Sequence, residues 1–289
     1  MVGIILRDPD TSKNITISVT GASGFLGNAI VPLLVEYKYI VKPLTRKKIP
    51  GYIHVNSYHE TPESDVLIHL AEEPDRHIVN VKGKAYMHEA IKLSTALSKK
   101  KYKKIIYASS GAVYGNSSVK PHKVSDDAVS NDSYSSIKLE CEKIILDAGG
   151  LVARFSNLYG TGMSDNNVVS DIANQMSNDE SVYVNDDMPV CDFIEISDAA
   201  NALLALCDHN GKTGLYNIGT GIGTSIGTLA KLILNVTNQN HRVIVSRRHT
   251  GNSMFCNILD ITDTTKLIGW IPKLSIEQGI AKLMAESTI

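Results

Sequence analysis

The sequence predicts an α/β fold: a doubly wound parallel sheet followed by a smaller C-terminal α/β region. Two observations carry this. Short apolar runs alternate with segments of helical periodicity through the first half of the chain, the order that lays parallel strands in one sheet joined by crossover helices. The first run, residues 15–19, also passes straight into Gly21-Ala22-Ser23-Gly24-Phe25-Leu26-Gly27, a glycine-rich turn that opens a helix.

In order, the pattern predicts a strand at 15–19 and a helix at 25–37, then strands at 39–44, 66–70, 105–108 and 151–155. Helices at 84–97 and 134–147 fall between them. From about residue 156 the pattern loosens. Polar, Asn- and Asp-rich loops at 164–167 and 185–188 separate short elements, with one further helix at 197–206. Residues 15–156 read as one domain to which 190–218 return, and 157–189 with 219–289 as a lid or specificity region. No Pro-rich linker separates the two parts, which places a crevice between them.

Composition narrows the function. The 289 residues suffice for an ample core, and 43% hydrophobic with 20% charged residues is an ordinary globular balance. A formal net charge of -1 gives no attraction to nucleic acid. The basic cluster at 99–104 falls where a helix ends and reads as a solvated face. Cys141, Cys191, Cys207 and Cys256 are too dispersed for a zinc site or a disulfide framework, so no metal is expected and a reducing cytoplasm is the expected compartment. After a leader of about fourteen residues, in which Arg7, Asp8 and Asp10 interrupt a short apolar run, no stretch approaches membrane-spanning length.

The glycine turn lets a pyrophosphate approach backbone N–H groups at a helix N-terminus, so 15–156 is expected to bind a dinucleotide through Gly21, Ser23, Gly24, Phe25, Leu26 and Gly27. At the end of the second strand an acidic residue would select a ribose 2′-hydroxyl. The chain instead has Thr45-Arg46-Lys47-Lys48, which favours NADP over NAD, with Arg46 on the 2′-phosphate and Lys47 in support. An exposed basic loop is the plainer alternative. Tyr134 and Lys138, four residues apart, share one helix face. A nearby cation favours the phenolate of a tyrosine, bringing a weak base toward neutral pH. Ser109 and Ser110 end a predicted strand, at the edge of a parallel sheet where ligands bind, and a serine there can hydrogen-bond a reacting oxygen.

Taken in order, these residues resemble the extended short-chain dehydrogenase/reductases, the NAD-dependent epimerase/dehydratase family of nucleotide-sugar epimerases, dehydratases and 4-keto reductases. The likeness extends through Asp65-Val-Leu-Ile-His-Leu70-Ala71, Asn80-Val-Lys-Gly83, Arg154-Phe-Ser-Asn157-Leu-Tyr-Gly160, Asp192-Phe-Ile-Glu-Ile-Ser-Asp198, Tyr216-Asn-Ile-Gly219 and Gly269-Trp-Ile-Pro272. The resemblance implies a Rossmann-type sheet, with Leu70 and Ala71 beside the cofactor. It makes Tyr134 the acid/base, Lys138 the ribose-holding and tuning residue, and Ser110 the substrate-oxygen contact, with Ser109 a weaker claimant. It puts Asn157 near the substrate diphosphate and Arg247 or Arg248 near the nucleotide phosphates. It also implies a homodimer paired through the helices at 84–97 and 134–147.

Two departures stand out. Eight residues separate Ala71 from Asn80, where the family has a longer loop, and Gly111 and Ala112 occupy the positions of the dehydratases' acidic pair. The expected activity is therefore NADPH-dependent reduction of a 4-keto nucleotide sugar. A 4-epimerase with retained NAD is the first alternative. A non-catalytic dinucleotide-sensing protein and a reductase of small aldehydes or ketones are alternatives from other classes.

Overall fold

The computed structural model describes residues 14–115, 118, 120–177, 181–211, 213–248 and 256–286, so the predicted leader lies almost wholly outside the described residues. The first half comprises β1 (Thr16–Thr20), α1 (Phe25–Glu36), β2 (Ile40–Thr45), β3 (Ile53–His54), β4 (Val66–His69), α2 (Arg76–Ser98), β5 (Lys104–Ser110), α3 (Ser133–Asp147) and β6 (Leu151–Phe155). The second comprises β7 (Asn157–Tyr159), α4 (Val168–Asn174), β8 (Val182–Val184), β9 (Val190–Glu195), α5 (Ile196–Asp208) and β10 (Gly214–Ile218). It ends with β11 (Gly223–Ser225), α6 (Ile226–Val236), β12 (Ile244–Ser246), β13 (Cys256–Asn257), α7 (Thr262–Ile268) and α8 (Ile276–Glu286).

The main sheet has the order β10-β6-β5-β4-β1-β2-β3, parallel throughout. Alternate side chains along each strand feed two apolar layers. Ile17, Val19, Ile68 and Ile106 pack beneath α1 and α5, through Ile30, Leu34, Leu203 and Leu206. Leu67, Ile105, Tyr107 and Val152 pack against Leu97 of α2 and Ile137, Cys141 and Ile145 of α3. Strand order reverses between β1 and β4, and such a switch point opens a crevice at the carboxyl edge of the sheet.

β7, β11 and β13 flank β9 in a second, small sheet, while β8 and β12 pair separately. A satellite core there joins Val169 and Ile172 of α4, Leu229 and Ile233 of α6, and Ile280 and Leu283 of α8 around Val182 and Phe193. The second half therefore holds more helix than the single element expected. Glycines at 221, 223 and 227 obscure the start of α6, although Ser225 caps it by accepting from the Thr228 N–H at 3.0 Å.

One expectation is extended and another corrected. α2 starts at Arg76, where Asp75 accepts from the N–H groups of His77 and Ile78, and it is broken at Gly83 (φ 52°), which interrupts the periodicity. The basic cluster is also more than a solvated face. Lys104 Nζ donates to the carbonyls of Leu206, Cys207 and His209 at the end of α5, and Lys100 Nζ to those of His59 and Thr61. Each ammonium thus ties backbone carbonyls of a distant segment to the end of α2 or the start of β5.

All four cysteines are buried and unbridged. Among the described residues no group of His, Cys, Asp and Glu could hold a metal, and no helix is long and apolar enough to cross a membrane.

Candidate active site

The glycine turn sits at the switch point. Gly21 has φ +68°, and a Cβ on it would lie 2.8 Å from the Leu70 carbonyl oxygen. A Cβ on Gly27 would lie 2.4 Å from the Gly21 oxygen, so only glycine lets α1 start this close to the turn. Gly24 is the N-cap of α1 and supplies no side-chain cap, and no acidic residue stands in the first turn. The leading N–H groups are left for an anion. Leu26 is buried in the core and Phe25 half-buried, so these two can offer an anion only their backbone. Ser23 Oγ hydrogen-bonds Thr45 Oγ1 at 2.6 Å, tying the turn to the end of β2. Leu70 and Ala71, beyond β4, form the opposite wall, with the Leu70 N–H donating to the Thr20 carbonyl.

Arg46, just past β2, is exposed, with its guanidinium 5.6 Å from the Tyr58 ring centroid. The Lys47 N–H donates to Thr45 Oγ1 at 3.1 Å.

On the other side of the crevice, α3 is set by its first turn. Asp132 accepts from the Ser135 N–H, and Asn80 of α2 accepts from the Tyr134 N–H at 3.0 Å while donating to Asp132 Oδ2 at 3.0 Å. This fixes Tyr134, whose hydroxyl makes no hydrogen bond to the described residues. Lys138 Nζ lies 5.8 Å from the Tyr134 ring centroid and 5.0 Å from that of Tyr107, and donates to the Ala108 carbonyl at 2.9 Å. Lys138 thus joins Tyr134 to the carboxyl end of β5.

The two serines there diverge, as neighbours on a strand must. Ser109 is buried and donates its hydroxyl to Glu142. Ser110 is half-buried on the other face and accepts from the Ala112 N–H at 3.2 Å, opening a 3₁₀ turn at Gly111–Tyr114.

The residue that the sequence reading missed is Glu72. Its Oε2 lies 2.8 Å from Lys138 Nζ, its Oε1 accepts from the Tyr107 hydroxyl at 2.8 Å, and its side chain is 7% exposed. Burial by itself would raise its pKa. Burial is the largest single influence, but the Lys138 ammonium, the neighbouring His69 and the hydrogen bonds from Lys138 and Tyr107 together outweigh it, and the net direction is down. Lys138 is likewise disfavoured as a cation by burial and carried above its ordinary range by Glu72. Both groups are therefore charged. Glu72, in the short acidic loop Glu72-Glu73-Pro74-Asp75, gave no periodicity or spacing signal.

The remaining sequence-predicted residues lie further out. Asn157 is exposed on β7 and donates to the Asp192 carbonyl at 2.9 Å. Arg247 reaches a cleft of about 720 Å³ lined also by Asn166, Asn167, Tyr183 and Val184, with its guanidinium 5.4 Å from the Tyr183 ring centroid. Arg248 is exposed and does not line that cleft. The acids of the 192–198 segment hold loops together. Asp192 accepts from the N–H groups of Thr220, Gly221 and Leu259, and Asp198 from those of Lys273 and Leu274.

A family model described as "NAD dependent epimerase/dehydratase family" matches residues 17–219. The dTDP-4-dehydro-6-deoxyglucose reductase of Escherichia coli is 27% identical, over 95% of this chain and 98% of that protein. A putative UDP-glucose 4-epimerase of Methanocaldococcus jannaschii is also 27% identical, over 93% and 97%. The structure of a UDP-glucose 4-epimerase from Thermotoga maritima, determined with UDP-glucose, superposes with a TM-score of 0.83 at 24% identity, covering 95% of this chain and 99% of that one. With this fold, glycine turn and family match, the chain belongs to the NAD dependent epimerase/dehydratase family of extended short-chain dehydrogenase/reductases.

Proposed function

We propose that this chain is an NADPH-dependent reductase acting at C4 of a 4-keto nucleotide sugar. The observation that carries the reading is the placement of Lys138, which spans from the end of β5, where Ser110 stands, to the ring of Tyr134. A glycine turn shaped for close approach and an uncapped α1 fit the pyrophosphate of a dinucleotide, and Gly21, Ser23, Gly24, Phe25, Leu26, Gly27, Leu70 and Ala71 would hold it. Arg46, with no carboxylate among residues 43–48, favours a 2′-phosphate and hence NADP over NAD.

When bound, the nicotinamide supplies or accepts the hydride. Ser110 orients the C4 oxygen by hydrogen bonding, and Tyr134 gives that oxygen a proton in reduction or removes it in oxidation. Lys138 holds the nicotinamide ribose, and its charge stabilises the anion that Tyr134 becomes once its proton has gone. Arg247, in the cleft with Asn166 and Asn167, is the better placed of the two arginines to meet the nucleotide phosphates, and Asn167 also donates to the Leu158 carbonyl of β7, the strand that carries Asn157. Gly111 and Ala112 stand where a dehydratase's acidic pair would be, and at Gly111 a Cβ would meet Leu259 Cδ2 at 3.0 Å, so a larger side chain there would require Leu259 to shift.

A nucleotide-sugar 4-epimerase is the second reading, supported by the epimerase among relatives of equal identity. Release of nicotinamide from denatured, freshly purified protein separates the two. An empty protein that binds NADPH more tightly than NADH supports the reductase, whereas co-purified NAD(H) supports the epimerase and overturns the Arg46 assignment. Homodimerisation through α2 and α3 belongs to the same proposal. Val81 is the one large apolar residue strongly exposed on these helices among the described residues, so such a contact would be largely polar. A monomeric mass at micromolar concentration removes it.

A further inference from the structure

We propose that Glu72 sets the charge balance at the nicotinamide end of the cofactor site: by pairing with Lys138 it cancels that cation, so the oxidised cofactor binds better than beside Lys138 alone. The inference rests on the reading above, that Lys138 meets the nicotinamide ribose.

Glu72 stands two residues beyond Leu70, outside the carboxyl end of β4, and reaches the gap between β4 and β5 where Lys138 arrives from α3. Both of its oxygens are fixed, one by Lys138 at 2.8 Å and the other by the Tyr107 hydroxyl at 2.8 Å. Lys138 donates one N–H to Glu72 and one to the Ala108 carbonyl, leaving its third for a ligand.

Two nearby basic side chains do not disturb the balance. His69 is kept neutral by burial, and Arg154 is matched by Glu142 through hydrogen bonds at 2.5, 3.0 and 3.2 Å. The buried end of the crevice therefore carries Lys138 and Glu72 as a pair of zero net charge.

The oxidised nicotinamide ring is a cation and the reduced ring is neutral, while the rest of the cofactor is the same in both. The ratio of the two dissociation constants thus isolates the ring's charge from every ribose and phosphate contact. A unit charge within several ångströms, at the screening typical of protein interiors, changes such a ratio by about tenfold or more.

The test is calorimetric titration of the full chain with NADP+ and NADPH, or with NAD+ and NADH if those bind better. Glu72→Gln is expected to raise the oxidised-to-reduced ratio of dissociation constants by about tenfold, equivalent to raising the bound couple's potential by about 30 mV. Glu72→Asp, which keeps the charge, is expected to leave the ratio unchanged. The double variant Glu72→Gln with Lys138→Met, which removes both charges, is expected to return it to the wild-type value. An unchanged ratio in a folded Glu72→Gln protein that still binds both forms overturns the proposal. If that variant does not fold, a shifted ratio in the double variant overturns it. Wild-type protein that binds no nicotinamide cofactor overturns the proposed function and this inference together.

Discussion

Arg154 of β6 and Glu142 of α3 form a buried, forked ion pair. Nη2 lies 2.5 Å from Oε2, and Nε reaches both oxygens. Ser109 donates to the same carboxylate, and the Tyr114 ring stacks on the guanidinium at 4.7 Å, its hydroxyl donating to Asn217 on β10 at 2.8 Å. One network thus ties α3 to β5, β6 and β10, the elements that fix where Tyr134 and Lys138 stand relative to Ser110. Glu142→Ala would leave a guanidinium buried without its anion, a loss of about 3–5 kcal/mol in urea unfolding. Replacing both partners, with Glu142→Leu and Arg154→Met, is expected to cost less than the single change. A single variant as stable as the wild type would show that the pair does not hold these elements together.

Tyr134→Phe removes the proposed proton donor and changes no hydrogen bond among the described residues. Activity on a 4-keto nucleotide sugar with NADPH is expected to fall by about a hundredfold to ten-thousandfold in kcat. NADPH affinity and the unfolding midpoint should stay near wild type. A variant retaining most of its kcat would move the proton transfer to another group.

The parallel sheet and its glycine turn were legible because local signals agree with tertiary ones there: buried strands such as β4 are short runs rich in Val, Ile and Leu, and Gly21 and Gly27 are required by a positive φ and by backbone contacts. Tyr134 and Lys138 were legible because helical periodicity alone puts them on one face. Glu72 was not, since its meaning lies in an ion pair to a residue 66 positions away that no local pattern announces. The helices α4, α6 and α7 of the second half were missed for another reason. α4 and α7 are single short elements stabilised mainly by packing, and a glycine-rich approach hides the amphipathic start of α6. Lys100 and Lys104 looked like solvated charge because the carbonyls they cap belong to distant segments.

Arg46→Ala tests the choice of cofactor. The side chain is exposed beyond β2, so its removal should leave stability within about 0.5 kcal/mol of wild type. Losing a charge-assisted contact to a 2′-phosphate is expected to weaken NADPH by about ten- to a hundredfold. NADH, which has no such phosphate, should bind as before. Equal effects on the two cofactors would reduce Arg46 to a general surface charge.

His69 gives a stability-versus-pH signature. Its Nδ1 lies 2.8 Å from Thr20 Oγ1, and its buried Nε2 has no hydrogen-bond partner among the described residues. Burial pushes the ring down to about 4 and Lys138 adds to this, while Glu72 opposes it. The unfolded chain, with the ring at its ordinary value near 6.5, binds a proton that the folded chain refuses. Stability from this group is therefore complete above about pH 6.5 and is lost as pH falls toward 4, by about 3 kcal/mol in all. Other carboxylates titrate in the same window, so the informative quantity is the difference from His69→Gln, which can still hydrogen-bond Thr20 but carries no titrating ring. Between pH 7 and pH 4.5 the wild type should lose about 2 kcal/mol more than the variant in urea unfolding. Parallel losses would mean that the ring is hydrated or protonated in the folded state. The uncharged neighbour on which the Lys138–Glu72 balance depends would then be lost as well.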